Sequence, residues 1–259
     1  MKLRSILRSI PILKRIYPSL FLKFSYFLNK NIFVSKFKNI YLNLDIRDPI
    51  DRSVLLFDFY EDKQIEYLCK IFKENRINYF FDVGANCGIY SLIISKLFPK
   101  TSILSFEPVK FTFKKLKKNI SLNPNLKNIK KYNYGLSNKN SKLKMKALFK
   151  KEFIQSGGYG VVNNKDNLKN LHTEFAVFKK ADNKFKYTKK TICLKIDVEG
   201  HEVFVLNGLK KIFKNNKIFL QIEILPNNFT KTNKWLNNFG FKKINQINAD
   251  YYFVNKLIN

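Results

Sequence analysis

Residues 79–95 read YFFDVGANCGIYSLIIS. An apolar run ends in Asp82, a tight turn Gly84-Ala85-Asn86-Cys87-Gly88 follows, and Tyr90, Leu92, Ile93, Ile94 and Leu97 then recur at helical spacing. Strand, turn, helix is the layout of the first unit of a nucleotide-binding fold. Glycines let the chain turn sharply and let a ligand approach the main chain. The helix start behind the turn offers unpaired N–H groups that suit a carboxylate or a phosphate. A dinucleotide would ask for G-x-G-x-x-G, yet Asn86 and Ile89 stand where the second and third glycines would be, which disfavours an NAD-dependent enzyme. A carboxylate and an amine still fit, with Asp82 holding the amine directly or through water; these are the groups at the amino-acid end of S-adenosylmethionine. The competing reading is an ordinary strand-to-helix turn that binds nothing.

On the C-terminal side, residues 102–106 form a second strand ending in Glu107-Pro108. The helix after it carries Phe113, Leu116 and Ile120 inward and its lysines outward. In open α/β sheets ligands sit outside the carboxyl ends of the strands, where the Glu107 carboxylate can accept both hydroxyls of a ribose; the alternative is an acid favoured by the helix dipole. Residues 130–134 read as a third strand ending at Gly135-Leu136-Ser137, and 143–148 as a short β piece. Residues 150–190 are the least legible; their SGGYG, 156–160, suggests a substrate-facing loop. Residues 191–196 form a fourth strand, apolar except at Lys195, which runs into Asp197-Val198-Glu199-Gly200-His201-Glu202. A helix through Val205, Leu206, Leu209 and Phe213 follows. Residues 218–224 form a fifth strand carrying Glu223, 233–239 a helix, and 241–247 with 251–254 a closing hairpin. Strands alternating with helices give a parallel, doubly wound sheet.

On the N-terminal side, residues 1–35 mix basic and apolar residues, with Lys14, Arg15 and Lys23 interrupting every apolar run. The stretch is too short to cross a membrane as a helix and lacks a signal-peptide core with a small-residue cleavage site. Two readings stay open, an amphipathic helix on a membrane surface and a helical cap on the main domain. Residues 40–44 alternate like a strand, and 53–72 read as a loop and then a helix with Ile65, Leu68, Cys69 and Phe72 on one face. We therefore divide the chain into a basic N-terminal helical extension, 1–75, and a main domain, 76–259. At 259 residues with 45% hydrophobic content the chain can bury a real core. The net charge of +30 invites a nucleic-acid reading, but the lysines are scattered along the chain beside abundant Asn, Ile, Phe and Tyr, which argues for AT-rich coding. Attraction to anionic membranes or glycans is the stronger expectation. Three cysteines without metal-ligand spacing point to a reducing compartment, so a cytoplasmic protein, at the inner face of a membrane if the basic segment docks.

FDVGANCGIYSL, SFEP, NYGLSN, LKIDVEGHEVFVLNG and FLQIEI, in that order and spacing, resemble the FkbM-type methyltransferases from about residue 60 to residue 254. The resemblance implies a Rossmann-like class I methyltransferase core, a mostly parallel seven-stranded sheet flanked by helices with a closing antiparallel hairpin. It implies S-adenosylmethionine as cofactor and transfer to a hydroxyl oxygen. Position by position, it implies a donor-binding loop at Asp82, Gly84, Ala85, Asn86 and Gly88, and a ribose-binding acid at Glu107 beside Pro108. It implies a stretch near the adenine at Asn133, Leu136 and Ser137, and an acidic motif beside the transferred methyl at Asp197, Glu199, Gly200 and Glu202. The chain departs from the family pattern at Val109, Gly135, Asn138 and residues 180–185, which bear on adenine contacts and acceptor shape.

A sulfonium methyl is already activated, so the enzyme has to place the acceptor and take its proton. The candidate catalytic residues are Asp197, Glu199, His201 and Glu223. Strand alternation carries the first three to one side if the extended form persists that far. A carboxylate or His201 acts as general base, or a divalent metal held by carboxylates lowers the hydroxyl pKa; we favour the base and assign no metal ligands. His201 has an alternative as a helix N-terminal histidine with a local hydrogen bond. The acceptor class is a glycan or other polyhydroxylated small molecule, and the basic surface would suit an anionic or lipid-linked one. Peripheral membrane contact through the basic N-terminal segment is the expected partner surface. The alternatives are a ribose methyltransferase acting on nucleic acid and a non-catalytic, membrane-docked binding protein of the same fold. The absence of a Pro-Pro or Pro-Cys motif argues against base methylation.

Overall fold

The computed structural model describes residues 7–150, 153–163 and 167–255; the rest of the expected N-terminal extension, residues 1–6, lies outside the described residues. The chain opens with helix α1 (Pro11–Phe27), where Pro11 takes the first helical position that tolerates its missing N–H. A hairpin follows, β1 (Ile32–Phe37) and β2 (Ile40–Asp45). Next come α2 (Pro49–Phe57), capped by the Asp48 carboxylate on the amides of Ile50 and Asp51, and α3 (Asp62–Glu74). The first 75 residues thus include a β-hairpin, and part of what reads as a loop after residue 53 is the end of a capped helix.

From residue 79 the expected alternation appears. It runs β3 (Tyr79–Val83), α4 (Ile89–Leu97), β4 (Ser102–Phe106), α5 (Lys110–Ser121) and β5 (Ile129–Tyr132). After β6 (Gly135–Ser137) the chain leaves the main sheet for β7 (Ser141–Lys150), β8 (Phe153–Ile154), β9 (Gly160–Val161) and β10 (Leu171–Lys180). It returns through α6 (Ala181–Lys184), β11 (Thr191–Ile196), α7 (Glu202–Gly208), α8 (Lys210–Asn215), β12 (Lys217–Glu223), α9 (Phe229–Asn238), β13 (Phe241–Ile247) and β14 (Asp250–Asn255).

The main sheet has seven strands in the order β13-β14-β12-β11-β3-β4-β5. Only β14 runs against its neighbours; β12, β11, β3, β4 and β5 pair in parallel. This is the Rossmann-like arrangement with a closing antiparallel hairpin expected of a class I methyltransferase. Two further sheets stand apart from it, the β1-β2 hairpin and a sheet of order β6-β10-β7-β8, with β9 paired to β7. The long antiparallel pairing of β7 with β10, Ser141 opposite Phe178 through Leu148 opposite Leu171, orders residues 171–178 of the stretch the sequence leaves illegible. Its strands are separated by about twenty intervening residues, so no local turn signal marks the hairpin.

Parallel strands covered on both faces read as continuous apolar runs, and neighbouring residues of β3 enter opposite layers. Phe80 packs with the hairpin, α2, α3 and α4, whereas Phe81 packs with Phe185, Val205, Leu206 and Phe213. Phe37, Ile40, Leu42, Leu44 and Ile46 are fully buried in the first layer, so the N-terminal segment shares one core with the sheet. Two polar ties reinforce it. The amides of Tyr41 and Asn43 donate to the side chains of Asn123 and Asn119. Lys115 of α5, which the helical pattern turns outward with the other lysines, instead folds onto the buried Asp51 carboxylate at 2.5 Å.

Leu44→Ala should therefore cost about 3 kcal/mol of unfolding free energy, read as a lower denaturation midpoint at unchanged slope; a loss under about 0.5 kcal/mol would mean that the hairpin is not part of the cooperative core.

Candidate active site

The ends of β3, β4, β11 and β12 surround a cavity of about 230 Å³. Its floor is the glycine turn. Gly84 has φ +82°, and a Cβ there would stand 1.8 Å from the Asp197 carbonyl oxygen, so only glycine lets β3 and β11 run out side by side here. The Gly84 and Ala85 amides donate to the Phe106 carbonyl, and the Asp197 amide to that of Val83. Gly88, at φ +86°, lies under Leu116 so closely that a Cβ would meet it at 2.4 Å. Asn86 also takes a left-handed backbone, φ +48°.

Asp82 lines the cavity, but its Oδ2 accepts from the amide and hydroxyl of Ser91, at 3.1 and 2.6 Å. One oxygen of the expected amine ligand thus anchors the first turn of α4. Glu107 is 5% exposed; its two oxygens each accept a backbone N–H at 2.9 Å, from Asn86 and from Val109. Burial pushes the Glu107 carboxyl up to about 7, against those two donors, which favour the charged form. Asn133 clamps the same corner by donating to the carbonyls of Glu107 and Pro108. Ala85, Pro108, Gly135 and Leu136 are in the wall. Ser137, expected near the adenine, is not: it is buried behind the wall, where its hydroxyl bonds His201 Nε2 at 2.9 Å, and its carbonyl lies against Gly208 of α7.

β11 ends at Ile196, and the extended form does not persist to His201. Glu199 and Gly200 take φ of +47° and +100°, and the His201 amide turns back to the Val198 carbonyl. The turn nonetheless leaves Asp197, Glu199, His201 and Glu223 all facing the cavity. His201 is buried between Phe178 and Phe204, stacked on the latter at 4.6 Å, and burial pushes its pKa down to about 4. It is a neutral imidazole whose Nε2 is engaged.

The carboxylates form the charged part of the site. Burial alone would raise Asp197, yet the Lys195 ammonium, 2.8 Å from its Oδ2, and a hydrogen bond from Glu223 hold it below its ordinary value. Burial, and then the Asp197 charge, push Glu223 up to about 9. Burial together with Asp197 and Glu202 pushes Glu199 up to about 7. Lys195 is 3% exposed. Burial opposes its charge, but the carboxylates of Asp197, Glu61, Asp82 and Asp250 overcome that and raise its pKa. Its ammonium also lies 4.7 Å from the centre of the Tyr90 ring. Among the described residues lining the cavity Lys195 is the only Lys or Arg, so the lining is acidic although the chain as a whole is strongly basic. Among the described residues no group of three or more His, Cys, Asp and Glu is placed to hold a metal ion.

Sequence reading passed over several of these groups. Lys195 was visible as one charge in an apolar strand, a position that requires a buried partner. Glu61 had no signal; it enters from the N-terminal segment with φ +43° and accepts from the Tyr90 hydroxyl at 2.6 Å. The SGGYG loop joins the wall through Ser156, Gly157, Gly158 and Tyr159. Asp48 holds it there, accepting from the amide and hydroxyl of Ser156, while Asn86 donates to the Ser156 carbonyl.

Two features fit S-adenosylmethionine. The Glu107 carboxylate beside the glycine turn accepts one backbone N–H on each oxygen and so keeps lone pairs for ribose hydroxyls. The Asn86 Oδ1 in the same wall is buried without a hydrogen-bond partner, an acceptor waiting for a donor.

The Glu223 carboxyl holds its proton more tightly when folded than when unfolded, so its contribution to stability is fully present below about pH 4.5 and lost as pH rises to about 9. The ligand-free protein should melt at progressively lower temperature over that window, and Glu223→Gln should flatten the dependence; an equal slope in both proteins would rule out this assignment.

The family described as the methyltransferase FkbM domain matches residues 82–243. Methyltransferase sdnD of Sordaria araneosa is 28% identical over 155 residues, 51% of this chain and 60% of that protein. Methyltransferase 1 of Beauveria bassiana is 23% identical over 148 residues, 51% of this chain and 58% of that protein. The matches thus span about three fifths of those relatives' length. Among solved structures, the FkbM methyltransferase of Methylobacillus flagellatus aligns with a TM-score of 0.46 at 12% identity, over 69% of this chain and 43% of that one. An S-adenosylmethionine-dependent O-methyltransferase of Thermotoga maritima aligns with a TM-score of 0.46 at 8% identity, over 78% and 67%. With the family match covering more than half of its length, this chain belongs to the FkbM methyltransferase family.

Proposed function

We propose that this chain is an S-adenosylmethionine-dependent O-methyltransferase acting on a hydroxyl of a glycan or another polyhydroxylated small molecule. The observation that carries the reading is the Asp197 carboxylate. It stands at the end of β11, kept ionised by Lys195 and backed by the Glu223 carboxyl, against the glycine turn that receives the donor. The glycine turn and Asn86 would hold the donor's amino-acid end, with Asp82 behind them, and Glu107 its ribose. When bound, S-adenosylmethionine supplies a methyl group on a sulfonium, already activated for in-line displacement.

The chain's own contribution is placement and proton transfer. A sugar hydroxyl is a weak acid, so a carboxylate within hydrogen-bond reach that accepts its proton as the new C–O bond forms lowers the barrier. Asp197 is ionised at neutral pH and serves as that acceptor; Glu223, which shares a proton with it, lets the charge spread over two carboxyls. Glu199 and Glu61 add acceptors for the other hydroxyls of a polyol. His201, neutral and stacked, shapes the wall. The acidic lining supports a neutral or amine-bearing acceptor over a phosphorylated one, since among the described lining residues the only Lys or Arg is Lys195, which is already paired with Asp197. It also weighs against a nucleic-acid acceptor, whose phosphates would have to approach the same carboxylates.

Calorimetry with S-adenosylmethionine and S-adenosylhomocysteine, with NAD as control, tests the donor. Wild type should bind both and not NAD, and Glu107→Ala should weaken binding about tenfold or more. Absence of heat from folded protein sinks the reading. Radiolabelled methyl transfer to a panel of free sugars and aminosugars tests the chemistry. Asp197→Asn should lose about a hundredfold or more in turnover while donor binding survives, with Glu199→Gln affected less. Equal turnover in Asp197→Asn and wild type would remove Asp197 as the proton acceptor.

A further inference from the structure

Helix α1 carries two apolar faces, and the fold uses one of them. Tyr17, Phe21 and Leu22 pack inward, with Tyr17 against Phe57 and Phe21 against Phe33. The other face is bare: Ile12 is 67% exposed, Ile16 48%, Leu20 58%, Phe24 57% and Phe27 83%. At about 3.6 residues per turn these five project onto about a third of the helix circumference, a continuous stripe rather than scattered side chains. Contiguous apolar surface of this kind marks a docking surface in a folded protein.

Charge identifies the occupant. Residues 7–35 contain no Asp or Glu and five basic residues, Arg8, Lys14, Arg15, Lys23 and Lys30. Lys14, Arg15 and Lys23 are exposed on α1 itself. Two aromatic rings and three aliphatic side chains, with Lys23 among them, Arg15 beside them and no acid, match a bilayer interface bearing anionic headgroups. A protein partner would need an acidic apolar groove, and a second copy of this chain would bring a like-charged helix against it. Among the described residues no helix is long and apolar enough to cross a membrane, so the attachment is in the plane of the surface.

We propose that α1 docks this enzyme on anionic lipid bilayers, its Ile12–Phe27 stripe inserted among the headgroups and its basic residues on the lipid phosphates. Arg8 lies 4.6 Å over the Phe59 ring and 3.4 Å from the Asp62 carboxylate, and the same short segment supplies Tyr60 and Glu61 to the cavity wall. The docking stands whether or not the acceptor class proposed above is right.

The test is vesicle co-sedimentation of the full chain, with phosphatidylcholine vesicles set against vesicles containing about 30 mol% phosphatidylserine or phosphatidylglycerol. Wild type should pellet with the anionic vesicles and remain largely in solution with the neutral ones, and raised salt should release it in part. Ile16→Glu and Phe24→Glu, both at exposed positions, should keep the wild-type melting temperature and each lower the partition coefficient about tenfold. Lys14→Glu with Arg15→Glu should weaken binding to anionic vesicles only. Failure of wild type to pellet with anionic vesicles overturns the proposal, as does binding undiminished by Ile16→Glu and Phe24→Glu. So does a concentration-dependent dimer in light scattering that those two variants abolish while vesicle binding is absent, which would make the stripe a contact between copies of this chain.

Discussion

The site depends on how closely β3 and β11 run out of the sheet together. A Cβ on Gly84 would lie 1.8 Å from the Asp197 carbonyl oxygen, so that approach excludes every residue but glycine. Because the two strands are neighbours with parallel register, Lys195 opposite Asp82 and Ile196 opposite Val83, their ends reach the same level. The glycine turn and the acidic motif then form one floor. A parallel sheet places all its carboxyl ends on one side, and the two neighbours β4 and β12 bring Glu107 and Glu223 to either flank of that floor.

Gathering so many carboxylates in a closed space would be unstable without a compensating charge. Lys195 supplies it from within β11, opposed by burial but held charged by Asp197, Glu61, Asp82 and Asp250. The remaining repulsion is relieved by protons: Glu107, Glu199 and Glu223 are all pushed upward, and Asp197, beside the ammonium, stays ionised. One carboxylate among several is thereby kept ionised near neutral pH, through position alone. The strongly basic composition of the chain belongs to its surface; the cavity has the opposite sign.

The N-terminal segment joins both ends of this arrangement. Its hairpin and α2 complete one layer of the core, its Asp48 cap also holds the Ser156 loop over the glycine turn, and its Glu61 reaches the lysine cluster. The outer face of its first helix leaves Ile12, Ile16, Leu20, Phe24 and Phe27 exposed. The same segment therefore completes the core, closes the cavity and exposes an apolar stripe.

What the sequence by itself determined is whatever is written within a few residues. The apolar runs of β3, β4, β11 and β12 announce strands covered on both faces. The turn from Gly84 to Gly88 and the acids at Glu107, Asp197 and Glu223 each close such a run, so the family, the parallel core and the main acidic residues were legible. Tertiary structure decided the rest, because it depends on residues far apart in the chain. The β7–β10 pairing joins strands with no turn between them to signal it. Ser137 turned away from the cavity because the close approach of Gly208 and the His201 ring took its hydroxyl and carbonyl. His201 proved neutral because two aromatic rings desolvate it. Glu61 and Lys195 acquired their roles only when residues more than a hundred positions apart met across a buried cluster, and long-range electrostatics of that kind leaves no periodicity to read.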